Sequence, residues 1–253
     1  MNTGPIEWDA QTYDRVSDPQ YEWGLEVLER LDLVGDETVM DAGCGSGRVT
    51  AKLLERLPSG RALAVDASEG MIAKAREALG DRADYLVTDL ADLEVSEPVD
   101  AIFSTATFHW VPDHDRLFAR LNAALKPGGK LVAQCGGTGN AATHARAIAT
   151  VATRPQFVSH FEGMGVPWNF VGPDETQKRL EAAGFEEVSC WLSEKPVQPE
   201  DPYAFTTTVT MGPHLARLPE ELRRPFAEAV LELEDDPLTI DYVRLNIDAV
   251  SSG

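Results

Sequence analysis

Residues 38–57, TVMDAGCGSGRVTAKLLERL, decide the fold. TVMDAG is a short apolar run closed by a glycine turn, and GRVTAKLLERL carries its apolar side chains at helical spacing, so the stretch reads strand, glycine loop, helix. The unit repeats outward. RALAVDAS (61–68) reads as a strand, EGMIAKAREAL (69–79) as a helix and ADYLVTDL (83–90) as a strand again. PVDAIFSTATFHW (98–110) and GGKLVAQCGG (128–137) are two more strands, separated by the helical DRLFARLNAALKP. Pro127, Gly128 and Gly129 are expected to stop that helix before the fifth strand. Strands alternating with helices of this length imply a parallel sheet covered on both faces, a doubly wound α/β core.

On the N-terminal side, QYEWGLEVLERLD (20–32) spaces Trp23, Val27, Leu28 and Leu31 as a helix, with Asp18 and Pro19 as its start signal. After Gly139 the rhythm changes. Residues 140–152 are helical, 153–173 mix prolines with aromatics, 174–183 are helical again and FEEVSCWLSE (185–194) alternates like a strand. A proline-rich link at 196–202 leads to a helix near 219–233 and a last strand, DYVRLNIDAV (241–250). The expectation is one domain over 1–253. Its core spans about 20–139 plus 174–194 and 238–250, and a small helical lid from 1–19, 140–173 and 203–236 covers the carboxyl ends of the strands. The acidic LELEDD (231–236) reads as a solvated helix end.

Across 253 residues, 22 Lys and Arg stand against 42 Asp and Glu, a net charge of −20. Such a field repels phosphate backbones and anionic lipid, so neither nucleic acid nor membrane is an expected partner. No segment has the length and apolarity to span a bilayer, and the N-terminus lacks a basic stretch followed by an apolar one; a cytoplasmic location follows as the expectation. Cys44, Cys135 and Cys190 are widely separated and odd in number, against a disulfide framework. His144 and His160 have no partner at ligand spacing, so no metal is assigned. Oligomeric state leaves no mark in the sequence.

In the glycine loop, Asp41 to Gly47, glycines at alternate positions let the backbone turn sharply and lie against a ligand, as they also do in dinucleotide folds. Asp66, closing the second strand, stands where a carboxylate accepts from both hydroxyls of an adenosine ribose; the alternative is an N-cap for the helix after it. Asp89 closes the third strand, at the place of an adenine edge or as a plain exposed carboxylate.

These residues resemble the class I S-adenosylmethionine-dependent methyltransferases. VMDAGCGSG is similar to the family's first motif, Asp66 in AVDAS to its ribose acid, Asp89 with Leu90 to its adenine contact, and DAIFSTATFHWVPD to its fourth motif. Asp41, two places before the first glycine, separates the pattern from the dehydrogenase loop. The resemblance implies a Rossmann-like seven-stranded sheet with an antiparallel last strand, and S-adenosyl-L-methionine as cofactor with S-adenosyl-L-homocysteine as product. It implies cofactor contacts from Tyr13, Asp41, Gly43, Cys44, Gly45, Asp66, Ala67, Met71, Asp89, Leu90 and Ser104. Trp8 with Tyr13 and the segment His109 to His114 look like the trans-aconitate methyltransferase group, which implies a small-molecule carboxylate or hydroxyl as acceptor. His109 is then the candidate catalytic base, or else a hydrogen-bonding wall residue. His109, Trp110, Trp168 and Arg146 are the candidates to hold the acceptor, with Phe170 as a further apolar lining residue and Phe108 assigned to the core. A polycarboxylate calls for several arginines, yet Arg146 and Arg154 are the only basic residues between 131 and 177. Two other readings stand beside this one: an NAD-binding oxidoreductase, and a non-catalytic protein that binds S-adenosylmethionine.

Overall fold

A computed structural model describes residues 18–253; Trp8 and Tyr13 lie outside the described residues. The apolar runs form β1 (Thr38–Ala42), β2 (Arg61–Asp66), β3 (Ala83–Val87), β4 (Val99–Thr105) and β5 (Leu125–Gly136), followed by β6 (Phe185–Glu194) and β7 (Val243–Ser251). One sheet takes them in the order β3-β2-β1-β4-β5-β7-β6. Pairing is parallel from β3 through β5. β7 enters antiparallel between β5 and β6, so the expected doubly wound sheet with an antiparallel last strand is observed.

Successive strand residues face opposite sides of a sheet. Val39 of β1 therefore joins Phe103 in one core, and Met40 joins Ile102 in the other. Helices α1 (Asp18–Glu29), α2 (Arg48–Glu55) and α3 (Glu69–Leu79) cover the first side through Val27, Leu53 and Ile72. Helices α4 (His114–Ala124) and α6 (Pro173–Ala182) cover the second through Phe118 and Leu180. Burial on both sides is why the central strands read as nearly unbroken apolar runs.

Between them, α5 (Ala142–Ala152) and α7 (Glu220–Leu231) share a separate small core, with Ile148 and Val151 against Met211, Phe226 and Val230. Phe157 stacks edge-on to Phe226 at 5.2 Å. This cluster uses no residue of the sheet.

The end of α4 departs from expectation. The helix stops at Ala124, and Pro127, Gly128 and Gly129 lie inside β5. There the register with β4 shifts, from Val99 opposite Leu125 to Ala101 opposite Lys130. The three residues form an irregularity in the strand rather than a helix stop. At Gly129 an added Cβ would sit 2.8 Å from the Lys126 carbonyl oxygen and 3.0 Å from that of Asp100, both backbone atoms that cannot swing aside. Gly129→Ala is expected to lower unfolding stability by about 1–3 kcal/mol, the usual cost of overpacking. An unchanged urea midpoint would show that the β4–β5 approach is looser than these distances imply.

Candidate active site

β2 and β3 lie on one side of β1, and β4 and β5 on the other, so the loops leaving the carboxyl ends of β1 and β4 diverge. In sheets of this kind ligands bind in the crevice at that reversal. Here it opens into a cavity of about 670 Å³, within the size range of ligand sites.

One half is built by the ends of β1, β2 and β3. Gly43, Gly45, Asp66, Ala67, Met71, Asp89 and Leu90, all expected from the sequence, line it together with Ser68. Gly43 has φ 89°, and a Cβ there would meet Oγ1 of Thr107 at 2.0 Å, so glycine is required at this turn. Asp66 fastens the loop: Oδ2 accepts the Gly45 N–H at 3.0 Å and Oδ1 accepts the Ser68 N–H at 2.9 Å. The N-cap of α3 is Ser68, whose hydroxyl accepts the Met71 N–H, so the N-cap reading of Asp66 is set aside. Burial pushes the Asp66 carboxyl above its usual range, and these N–H groups pull it partly back.

Three expected cofactor residues stand behind the wall instead of on it. Asp41 is buried and accepts from the Thr50 hydroxyl at 2.6 Å. Burial, with a contribution from the Asp66 charge, pushes the Asp41 carboxyl up to about 7. Cys44 is buried with its thiol pushed well up, first by burial and then by the charges of Asp41 and Asp66. Ser104 donates its hydroxyl to the Ala42 carbonyl at 2.6 Å, tying β4 to β1.

The other half is bounded by His109, Trp110, Trp168 and Phe170, all anticipated, and by Arg244, Asn140 and His144, which were not. Trp168 stacks on Phe170 at 5.7 Å and 7°, and His109 lies 5.6 Å from Phe170. The Asn169 N–H donates to the His109 carbonyl at 2.8 Å, which fixes the 167–171 segment against the turn after β4. Phe108 is in the core, as expected. Nδ1 of His109 accepts the Gly136 N–H at 3.2 Å, which leaves the ring proton of the neutral imidazole on Nε2. Burial, reinforced by the charges of Arg244 and His114, holds this imidazole well below its usual pKa. A neutral ring with Nε2–H is a donor toward a ligand, so the candidate base becomes a candidate hydrogen-bond donor.

Arg146 does not reach the cavity. The buried face of α5 is His144, Ala147, Ile148 and Val151, and Arg146, off that face, donates to the Thr143 hydroxyl at 3.1 Å. The guanidinium at the site belongs to Arg244 of β7, 3% exposed and 5.0 Å above the Trp23 ring. Its β5 partner is Gly136, the residue that fixes His109. His144 also corrects the reading of LELEDD. Its Nδ1 lies 2.7 Å from Oε1 of Glu234, whose side chain is 3% exposed, and its Nε2 lies 2.8 Å from the Thr210 hydroxyl. Glu234 is thus a buried partner rather than a solvated helix end. Among the described residues no group of three or more His, Cys, Asp or Glu is placed to hold a metal ion, and no helix is long and apolar enough to cross a membrane.

A family model described as "Methyltransferase domain" matches residues 39–129. Trans-aconitate 2-methyltransferase of Azoarcus sp. is 39% identical over 127 residues, half of this chain and half of that protein. The protein of the same name from Methylobacterium nodulans is 32% identical over 187 residues, 74% of this chain and 67% of that protein. The chain belongs to the class I S-adenosylmethionine-dependent methyltransferases. The fold of this methyltransferase is also that of Haemonchus contortus phosphoethanolamine N-methyltransferase 2 in complex with S-adenosyl-L-methionine: TM-score 0.62 and 18% identity, covering 96% of this chain and 56% of that one. The residues present fit the cofactor. Gly45 leaves open space where a Cβ would stand, and the Asp66 carboxylate closes β2 at the cavity.

Two outcomes are expected for the methyltransferase. Asp66→Ala should weaken S-adenosylhomocysteine binding by about 1.5–3 kcal/mol, as for loss of hydrogen bonds to a charged group; unchanged calorimetric affinity would contradict the ribose role. Asp41 has a folded pKa raised from 3.8 to about 7, so the folded state holds more protons in that window and stability falls as pH rises through it. Asp41→Asn, which keeps an acceptor for Thr50, should therefore raise the melting temperature more at pH 8 than at pH 4, and an equal shift at both would count against a buried, protonating Asp41.

Proposed function

We propose that this methyltransferase places the methyl group on a carboxylate oxygen of a small organic acid. The observation that carries the reading is the direction of the Gly136 to His109 hydrogen bond, because it uses the lone pair a general base would need. Nε2 of His144 is likewise engaged, with Thr210. A hydroxyl acceptor needs a group to take its proton, whereas a carboxylate is already ionised at neutral pH. When bound on the side of Asp66 and the glycine loop, S-adenosylmethionine would supply a methyl group on positive sulfur, and its passage to an ionised carboxylate would release no proton. The chain's own contribution is alignment and exclusion of water. The Nε2–H of His109 orients the acid, the aromatic wall holds its body, and Asp66 with the glycine loop holds the cofactor side. The segments 140–173 and 203–236 act as the lid, with the His144–Glu234 pair joining its two parts. The relatives named trans-aconitate 2-methyltransferase support a carboxylate acceptor.

An oxidoreductase binding NAD is not favoured, since the glycine loop lies within the stretch matched by the methyltransferase family model and the relatives are named as methyltransferases. The test is transfer of a labelled methyl group to a pool of organic acids. The product should release its label as methanol in mild alkali, as esters do. Product stable to alkali, or a rise in kcat/KM with pH that disappears in His109→Gln, would overturn the carboxylate reading.

A further inference from the structure

Resting on the carboxylate reading above, we infer that Asn140 is an acceptor-binding residue: its side-chain NH2 donates to a carboxylate oxygen of the acid, beside the Nε2–H of His109. Asn140 is 5% exposed and lines the cavity. Its Oδ1 accepts the Val243 N–H at 3.1 Å. A backbone N–H can only donate, so this bond settles which end of the amide is oxygen and leaves Nδ2 as the other end. Among the described residues Nδ2 has no hydrogen-bond partner. Buried amide groups are nearly always paired, so a buried NH2 left over at the wall of a cavity points to a partner that arrives with the ligand. A primary amide nitrogen donates and does not accept. It therefore calls for an oxygen, and an ionised carboxylate is the strongest acceptor of that kind.

Gly136 brings this donor and His109 together. Its N–H binds Nδ1 of His109, and a Cβ at Gly136 would lie 3.1 Å from Nδ2 of Asn140 and 2.4 Å from Cε1 of Phe170. Two donors and an aromatic ring thus converge on the last residue of β5, where no side chain stands between them. The turn after β5 holds Asn140 in place before any acid binds. The Thr138 N–H donates to the Val171 carbonyl at 3.1 Å, the Asn140 N–H to that of Gly137 at 3.0 Å and the Ala141 N–H to that of Asp241 at 2.9 Å. Ala141, which also lines the cavity, has φ 49°, in the left-handed region that glycine alone adopts freely. Strain of this kind persists where surrounding contacts over-determine the backbone, and here those contacts set the position of the amide.

The test offers a pool of organic acids, trans-aconitate, fumarate and trans-cinnamate among them, with labelled S-adenosylmethionine, and takes the acid esterified with the highest kcat/KM. Asn140→Asp keeps an oxygen for the Val243 N–H and turns the other end of the side chain from donor to acceptor. It should raise the KM for that acid about ten- to a hundredfold, the loss of one hydrogen bond to a charged group, and change kcat by less. Its S-adenosylhomocysteine affinity should match that of the parent chain, which shows that the variant is folded and that Asn140 does not hold the cofactor. A second readout needs no variant and decides the question if Asn140→Asp does not fold. In the parent chain with S-adenosylhomocysteine bound, the side-chain NH2 resonances of Asn140 should shift and saturate as the acid is added. An unchanged KM, a loss of S-adenosylhomocysteine affinity in a folded variant, or Asn140 resonances that ignore the acid would each overturn the inference and leave the carboxylate reading standing. No alkali-labile product from any acid, in a protein that binds S-adenosylhomocysteine, would overturn the carboxylate reading and this inference with it.

Discussion

The hydrogen bond from the Gly136 N–H to Nδ1 of His109 joins the carboxyl end of β5 to the turn that follows β4. A backbone N–H can only donate, so the ring must accept at Nδ1 and keep its proton at Nε2. That places a donor, not a base, at the cavity. It also aligns the site with the sheet, because Gly136 is paired with Arg244 across β5 and β7. One strand position thus sets the tautomer of the imidazole and the depth of the guanidinium.

The charge balance of the chain takes on a narrower meaning in this light. A net charge of −20 suits a cationic methyl donor and opposes an anionic acceptor at long range. An acid substrate must therefore be drawn in locally, by groups shielded from that field. The guanidinium that lines the cavity, that of Arg244, is buried in the inserted strand β7. The polar face of β7 continues along the strand, where Arg30 binds Asp248 at 3.0 Å and Asn246 at 3.1 Å. Stacked polar side chains in the middle of a sheet persist because each finds a partner.

The parallel core was legible because strand and helix periods alternate without interruption from residue 38 to 137, and because glycine marks the turn after β1, where a Cβ at Gly43 has no room. Asp66 was legible by its place at the end of β2, although not the two N–H groups that it holds. Arg244 was not, since its importance depends on β7 being inserted beside β5, a pairing across more than a hundred residues that carries no local signal. Glu234 was missed for the same reason: a carboxylate run looks solvated until a distant histidine is found against it. The misplacement of Arg146 had a local clue. Two positions from His144 on a helix lies off the buried face, and the phase of Ala147, Ile148 and Val151 would have shown it.

Nitrogen-15 NMR of the His109 ring tests the account most directly. The account predicts one neutral form, protonated at Nε2 and bare at Nδ1, that does not titrate between pH 5.5 and 8. A ring that gains a proton near pH 6.5, or one that carries its proton on Nδ1, would contradict it and restore a base to the site.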